Sequence, residues 1–125
     1  MPSLNRVQLI GRLGKDPETR YTNAGKNFCN FSLAVNRRWK NAQGVTQEAT
    51  DWVNVTAWGP LGEFCQQHLG KGRLVFVEGR LRIDRVEQDG AVRYFTKVVA
   101  TQMQMLDRKP DEPELAVEEA ELSIE

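Results

Sequence analysis

Hydrophobic and polar positions alternate sharply along 51-DWVNVTAWGP-60. Val53, Val55 and Ala57 fall on one parity, and Trp52, Asn54, Thr56 and Trp58 on the other. A strand points successive side chains to opposite faces, so the segment predicts small aliphatics on one face and two tryptophans on the polar one. The same alternation runs through 27-NFCNFSLAVN-36, where Phe31, Leu33 and Val35 oppose Asn30, Ser32, Ala34 and Asn36. Residues 4–13 (LNRVQLIGRL) predict an earlier strand, apolar with interspersed Arg and Gln. Pro17 and the cluster 23-NAG-25 punctuate the chain beyond it. Residues 37–51 (RRWKNAQGVTQEATD) carry no apolar period and predict a long polar hairpin loop.

The period changes once. In 60-PLGEFCQQHLGKG-72, Leu61, Phe64, Cys65, His68 and Leu69 recur at helical spacing. Pro60 suits a first turn, and Gly70 and Gly72 stop the helix. Two further strands, 73–86 and 91–106, join through 87-EQDGA-91, where Asp89-Gly90 is a hairpin signal. Three strands, one helix and two strands is the order of an OB-fold barrel. The predicted class is all-β with one short helix, a five-stranded Greek-key barrel with a disordered acidic tail behind it. No internal repeat is visible.

Length and charge refine this. The chain has 125 residues, enough for one domain with a real core. Its net charge of zero hides a split. All 17 Lys+Arg precede residue 110, while 7 of the 17 Asp+Glu lie beyond residue 109, giving +7 and then −7. A basic body with an acidic arm points to a polyanion ligand for the body. The division expected is 1–108 for the domain and 109–125 for the tail. No run approaches the ~18 apolar residues of a membrane span, and no signal-peptide pattern appears. The expected location is therefore cytoplasmic, without membrane association. Cys29 and Cys65 sit in apolar-leaning segments and predict reduced core fillers. A zinc site needs about four ligands, and His68 is the only histidine, so no metal or other cofactor is expected.

The chemistry that stands out is aromatic and cationic. A single surface Trp packs under a loop or in an interface as often as it binds a ligand. Two on one strand face, with Trp39 in 37-RRWK-40, shift that balance. Bases offer flat faces to stack on, and phosphates need cations nearby. Arg37, Arg38 and Lys40 flank Trp39. Arg6 and Arg12 lie on the first strand, and Arg20 follows the Pro17 turn. Lys71 comes just after the helix; Arg80 and Arg82 share a strand face with Asp84, and Arg85 lies just beyond. For each cation alone, a solvated surface charge is the default; their sum beside the aromatics carries the weight. No GxxxxGK[ST] motif, metal-spaced carboxylate cluster or paired nucleophile is present, so an enzyme is not expected. His68 reads as a helix residue half-buried against the barrel rather than a catalytic base.

These segments together resemble the bacterial single-stranded DNA-binding proteins of the homotetrameric OB-fold type. The resemblance is carried by 4-LNRVQLIGRLGKDPETRYT-22, 31-FSLAVNRRW-39, 52-WVNVTAWG-59, 69-LGKGRLVFVEGRLR-82, 93-RYFTKVVA-100 and 103-MQML-106. It implies a tetramer that wraps single-stranded DNA during replication, recombination and repair, in a nucleoid-associated setting. It also places Trp39, Trp52 and Trp58 at base-stacking positions, and Arg6, Arg20, Lys71 and Arg82 at or near the phosphate path.

Two departures from the family pattern carry expectations. Val86 stands where enterobacterial members have a further stacking Trp, which implies weaker binding per protomer or a different wrapping mode. The family's acidic tip ends in Pro-Phe and docks on replication and repair proteins; here 110-PDEPELAVEEAELSIE-125 keeps the acidity and lacks the terminal Phe. The tail either recruits partners through Leu122 and Ile124, or competes with DNA for the basic groove as a solvated arm. Low hydrophobicity favours disorder over 111–114, while Leu115, Val117, Glu118 and Leu122 suit a short amphipathic helix on a partner. Two competing functions remain open: an OB-fold interaction module akin to primosomal accessory proteins, and an RNA binder. The first strand has apolar residues of both parities (Val7, Leu9 and Leu13 against Ile10), which suits pairing with a second copy.

Overall fold

The structure, a computed structural model, describes residues 2–107. The tail at 109–125, with every expectation placed on it, lies outside the described residues. Six strands and one helix run in order: β1 (Val7–Leu13), β2 (Glu18–Tyr21), β3 (Asn27–Lys40), β4 (Thr46–Trp58), α1 (Gly59–His68), β5 (Leu74–Gln88) and β6 (Ala91–Met105). The strands lie side by side in the order β1-β5-β6-β4-β3-β2, and β1 turns back to pair with β3. That pairing, Arg12 with Ala34 and Leu13 with Leu33, closes β1, β5, β6, β4 and β3 into a five-stranded barrel. The barrel expectation holds. β4 and β6 are joined in parallel at Val55–Val98 and Thr56–Val99; the other pairings are antiparallel.

The core obeys the alternation in the sequence. Cys29, Phe31 and Leu33 of β3, Val55 and Ala57 of β4, and Val75 and Val77 of β5 all point inward. On β6 the inward set is Val98 and Ala100, then Met103. The odd step reflects a bulge: Glu78 pairs with Gln102 but Gly79 with Ala100, so Thr101 is skipped. Such a bulge bends the strand, as barrel closure requires. A Cβ on Gly79 would lie 2.2 Å from the Val99 carbonyl oxygen, so this close approach demands glycine.

The helix seals the barrel with Cys65 buried and Leu61 and Phe64 against the core. His68 corrects the sequence expectation: it is exposed, its ring tilted against Phe64 at 5.0 Å. It ends the helix, and Leu69 rather than His68 turns into the core.

The largest correction concerns residues 37–51. They are not a loop but the two strands of a protruding ribbon, with only residues 41–45 left as the connection. The pairing of β3 and β4 continues to Lys40–Thr46. No core supports this ribbon, so no apolar period marks it. Cross-strand polar pairs hold it instead. Thr50 Oγ1 donates to Asn36 Oδ1 at 2.9 Å, Arg37 Nε donates to both Asp51 oxygens at 3.2 and 3.0 Å, and Arg38 Nε donates to Glu48 at 2.7 Å. The Asn41 side chain closes the turn by accepting from the backbone N–H groups of Gln43 and Val45, both at 3.0 Å. The other long hairpin, β5–β6, turns at Asp89-Gly90 as expected, with φ of +50° and +77°. These values suit the two-residue turn whose twist matches that of the strands.

Candidate nucleic-acid interface

The outward face of β3 and β4 bears the site. Register sets Phe28 beside Trp58, Asn30 beside Thr56, Ser32 beside Asn54 and Ala34 beside Trp52. Arg20 of β2 extends the first row. Two indoles thus bracket a polar floor on one sheet face, as the alternation in 52–58 predicts. Six residue-to-residue steps of about 3.3 Å separate them, roughly 20 Å along the strand.

The two indoles are held differently. Trp52 is 60% exposed. It rests on Gly14, where an added Cβ would stand 2.4 Å from the indole Cζ3. Trp58 is half-buried and leans on Phe28, with ring centroids 4.7 Å apart and planes at 36°. Lys26 Nζ lies 5.0 Å over the Trp58 ring, within cation–π range. Between them, Thr56 Oγ1 donates to Asn30 Oδ1 at 2.8 Å, which satisfies a nearly buried hydroxyl.

A groove of about 460 Å³ opens over this floor. Lys15, Asp16 and Glu18 form one wall, and Asp84, Val86, Phe95 and Lys97 of the β5–β6 arm line the other. Phe95 is 52% exposed, and sequence reasoning misses it. Its signal lies in 93-RYFTK-97, an aromatic pair flanked by cations. It stands in the same groove wall as Val86, the position where a stacking Trp is absent.

Trp39 is not brought to this groove face. It lies at odd parity on β3, across the ribbon from the face of Trp52 and Trp58. There it is 43% exposed, with the Arg37 guanidinium 4.9 Å over its ring.

The predicted cations divide into two groups. Arg6 pairs with Glu78 at 3.4 Å, Arg20 with Glu18 at 3.3 Å, Arg37 with Asp51 at 3.0 Å and Arg38 with Glu48. Arg82 pairs with Asp84 and Arg85 with Glu87, both at 2.9 Å, while Lys97 shares Asp84 at 3.6 Å. Lys40, Lys71 and Arg80 have no carboxylate partner among the described residues. Strand alternation puts Arg80, Arg82 and Asp84 on the groove face of the arm and Arg85 on the other, beside Tyr94. Neither cysteine belongs to the site. Both are free and fully buried, Cys65 Sγ lies 3.3 Å from Met103 Sδ, and burial pushes the Cys65 thiol up to about 12 and raises Cys29 as well.

An OB barrel with aromatics bracketing a polar groove, and cations around it, defines the class of protein: a barrel with a nucleic-acid-type face. The profile of the single-strand binding protein family matches residues 4–106, and the chain belongs to that family. It is 45% identical over 108 residues to Single-stranded DNA-binding protein 1 of Chlorobaculum tepidum, covering 85% of this chain and 67% of that one. It is 46% identical over 104 residues to the Single-stranded DNA-binding protein of Xanthomonas campestris pv. campestris, covering 82% and 60%. The chain thus spans about three fifths to two thirds of the length of these relatives. Among solved structures, the Plasmodium falciparum SSB complex with ssDNA superposes with a TM-score of 0.81 at 28% identity, over 86% of this chain and 98% of that one. A deletion mutant of the single-stranded DNA binding protein from Thermus aquaticus gives 0.75 at 34% identity, over 83% and 51%.

Proposed function

We propose that the protein binds and shields single-stranded DNA regardless of sequence, as a binding protein without a chemical step, in replication, recombination and repair. The observation that carries this reading is the placement of Trp52 and Trp58 on one exposed face, about 20 Å apart, over a polar floor. An exposed indole on the outer face contributes only part of its area to the fold, whereas each stacked base contributes about 1–3 kcal/mol. Phe95 supplies a further aromatic surface in the groove where Val86 offers none. Trp39 with Arg37 forms a second contact zone on one face of the ribbon, and Arg38 and Lys40 on its other face, with Arg6, Arg20, Lys71, Arg80, Arg82 and Arg85, serve the phosphates along the path.

The working unit in this reading is a homotetramer, acting in the cytoplasm on the nucleoid. Two features support self-association. Along Val7–Ile10, β1 is hydrogen-bonded to β5 on one edge only among the described residues. The arm also exposes Leu81, Ile83, Val92 and Tyr94 on its non-groove face. The domain boundary falls near residue 108, and the acidic stretch 110–125 acts either on protein partners or on the protein's own cations.

Titrating intrinsic Trp fluorescence with oligo-dT, and with duplex of equal length, tests the reading. Quenching by dT and not by duplex, weakening as salt rises, is expected. Unchanged fluorescence with micromolar dT would assign the indoles to a protein interface and favour the interaction-module reading. Equal affinity for oligo-dT and oligo-U would extend the ligand to RNA, since stacking alone does not read the 2′-OH.

A further inference from the structure

Six of the nine cations expected to meet phosphate are already engaged: Arg6, Arg20, Arg37, Arg38, Arg82 and Arg85 each hold a carboxylate. The pattern is systematic. On the ribbon, Arg38 faces Glu48 directly across the strands, and Arg37 reaches Asp51 diagonally. On the arm, Asp84 sits two residues from Arg82, and Lys97 stands across from Arg82, so one carboxylate binds both cations. Asp84 also lines the groove itself. The pairs on Arg37 and Arg38 are well exposed, and in the third Arg82 is exposed while Asp84 is partly covered, so water and other anions reach all three. Exposed pairs of this kind are weak and exchange partners readily.

We propose that Glu48, Asp51 and Asp84 are resident counterions, which compete with DNA phosphates for Arg38, Arg37 and Arg82 and thereby set both the affinity and its salt dependence. The inference rests on the single-stranded DNA reading above. Its physical basis is ion accounting. When a bare cation takes a phosphate, the condensed counterion of that phosphate is released, and each such contact on a single strand adds about −0.7 to the slope of log K against log salt. When a carboxylate-bound arginine takes the phosphate, the carboxylate is freed and regains a diffuse cation atmosphere. That uptake offsets part of the release from the DNA, so the exchange adds less to the slope than a bare contact does. The freed carboxylate also remains beside the phosphate and repels it. Glu48, Asp51 and Asp84 are thus positioning residues that hold the arginine heads at the surface and moderate what those heads can gain.

The test uses the full chain and (dT)8, short enough for one barrel, in fluorescence titrations from low to high NaCl. The variants are Glu48→Gln, Asp51→Asn, Asp84→Asn and the triple combination, with melting curves confirming the fold. Each single variant should bind about threefold tighter at low salt and steepen the slope by up to about 0.7, and Asp84→Asn by up to twice that because Lys97 is released too. The triple variant should bind at least about tenfold tighter, with a slope steeper by up to about 3. Glu63→Gln, an exposed helix carboxylate without a cation partner among the described residues, makes the same net-charge change and should move neither quantity comparably. Arg37→Gln and Arg82→Gln report separately on the phosphate contacts. If these weaken binding while the carboxylate variants keep the wild-type slope, the counterion role is wrong and the DNA reading stands. If the arginine variants bind as the wild type does, those arginines do not meet phosphate, and that part of the reading fails together with the proposal. An equal response from Glu63→Gln would reduce the effect to net charge and overturn the proposal as well.

Discussion

Trp52 and Gly14 make a matched pair for testing the stacking platform. Trp52→Ala removes an indole that is 60% exposed, so less than half of its surface is lost from contact. At about 25 cal/mol per Å² and roughly 100 Å² of covered area, the stability change is at most about 2.5 kcal/mol. The lost stacking partner is a term of about 1–3 kcal/mol, or roughly 5- to 150-fold in affinity. Binding and stability therefore separate at this position. At Trp58 they do not, because that ring also leans on Phe28 and carries Lys26 over its face.

Gly14→Ala perturbs the same platform without deleting it. The new methyl would meet Cζ3 of the indole at 2.4 Å and Cη2 at 3.0 Å. The clash falls on the far end of a side chain, so the ring swings away and the barrel stays intact. The assay is a double-mutant cycle: anisotropy titration of labelled oligo-dT for the wild type, both single variants and the double, alongside urea melts. Gly14→Ala should weaken binding several-fold where Trp52 is present and have no further effect in Trp52→Ala. The coupling expected for side chains in contact is about 0.5–3 kcal/mol. Equal losses in both backgrounds would mean that residue 14 acts on DNA directly. Full affinity in Trp52→Ala would refute the stacking argument itself.

Buried groups give two further outcomes. Thr56→Val keeps the shape of a side chain only 4% exposed but removes the donor to Asn30 Oδ1; a loss of about 1 kcal/mol and a fall in Tm of about 4–8 °C by calorimetry are expected. The thiols should resist Ellman's reagent in the native state at pH 8. Because the Cys65 pKa is raised from 9.0 to about 12, the folded chain keeps a proton that the unfolded chain releases; stability is full below pH 9 and declines as pH rises toward 12. Urea midpoints between pH 7 and 10.5 should fall at the alkaline end, and less so in Cys65→Ala.

The sequence discloses what the barrel interior dictates. Val53, Val55 and Ala57 alternate with Trp52, Asn54, Thr56 and Trp58 because one face of β4 meets the core over its second half. Asp89-Gly90 is readable because a two-residue hairpin needs positive φ at both positions. Residues 37–51 are not readable as strands because nothing there touches the core. Their order lies in pairs such as Asn36–Thr50 and Arg38–Glu48, which become neighbours only once the register is set. The four-residue β2 carries too little pattern to register at all. Composition groups Trp39 with the other indoles, yet a strand's period of two sends it to the other face. The carboxylate partners of Arg37, Arg38 and Arg82 are hidden for the same reason, being plain surface charges until the strands are paired.

The muted cations and the open aromatics work together in the proposed function. Duplex and single-stranded DNA both offer phosphates, but only the single strand offers base faces. A surface of bare arginines would attract both and discriminate poorly. Here Arg37, Arg38 and Arg82 are held by Asp51, Glu48 and Asp84, while Trp52 stands open on Gly14. The term common to both ligands is reduced, and the term unique to the single strand, about 1–3 kcal/mol per stacked base, is left whole. Removing the three carboxylates should therefore raise duplex affinity by at least the factor gained on oligo-dT, and narrow the preference between them. A preference that widened instead would mean that the carboxylates orient the arginines toward a single-strand backbone rather than compete with it.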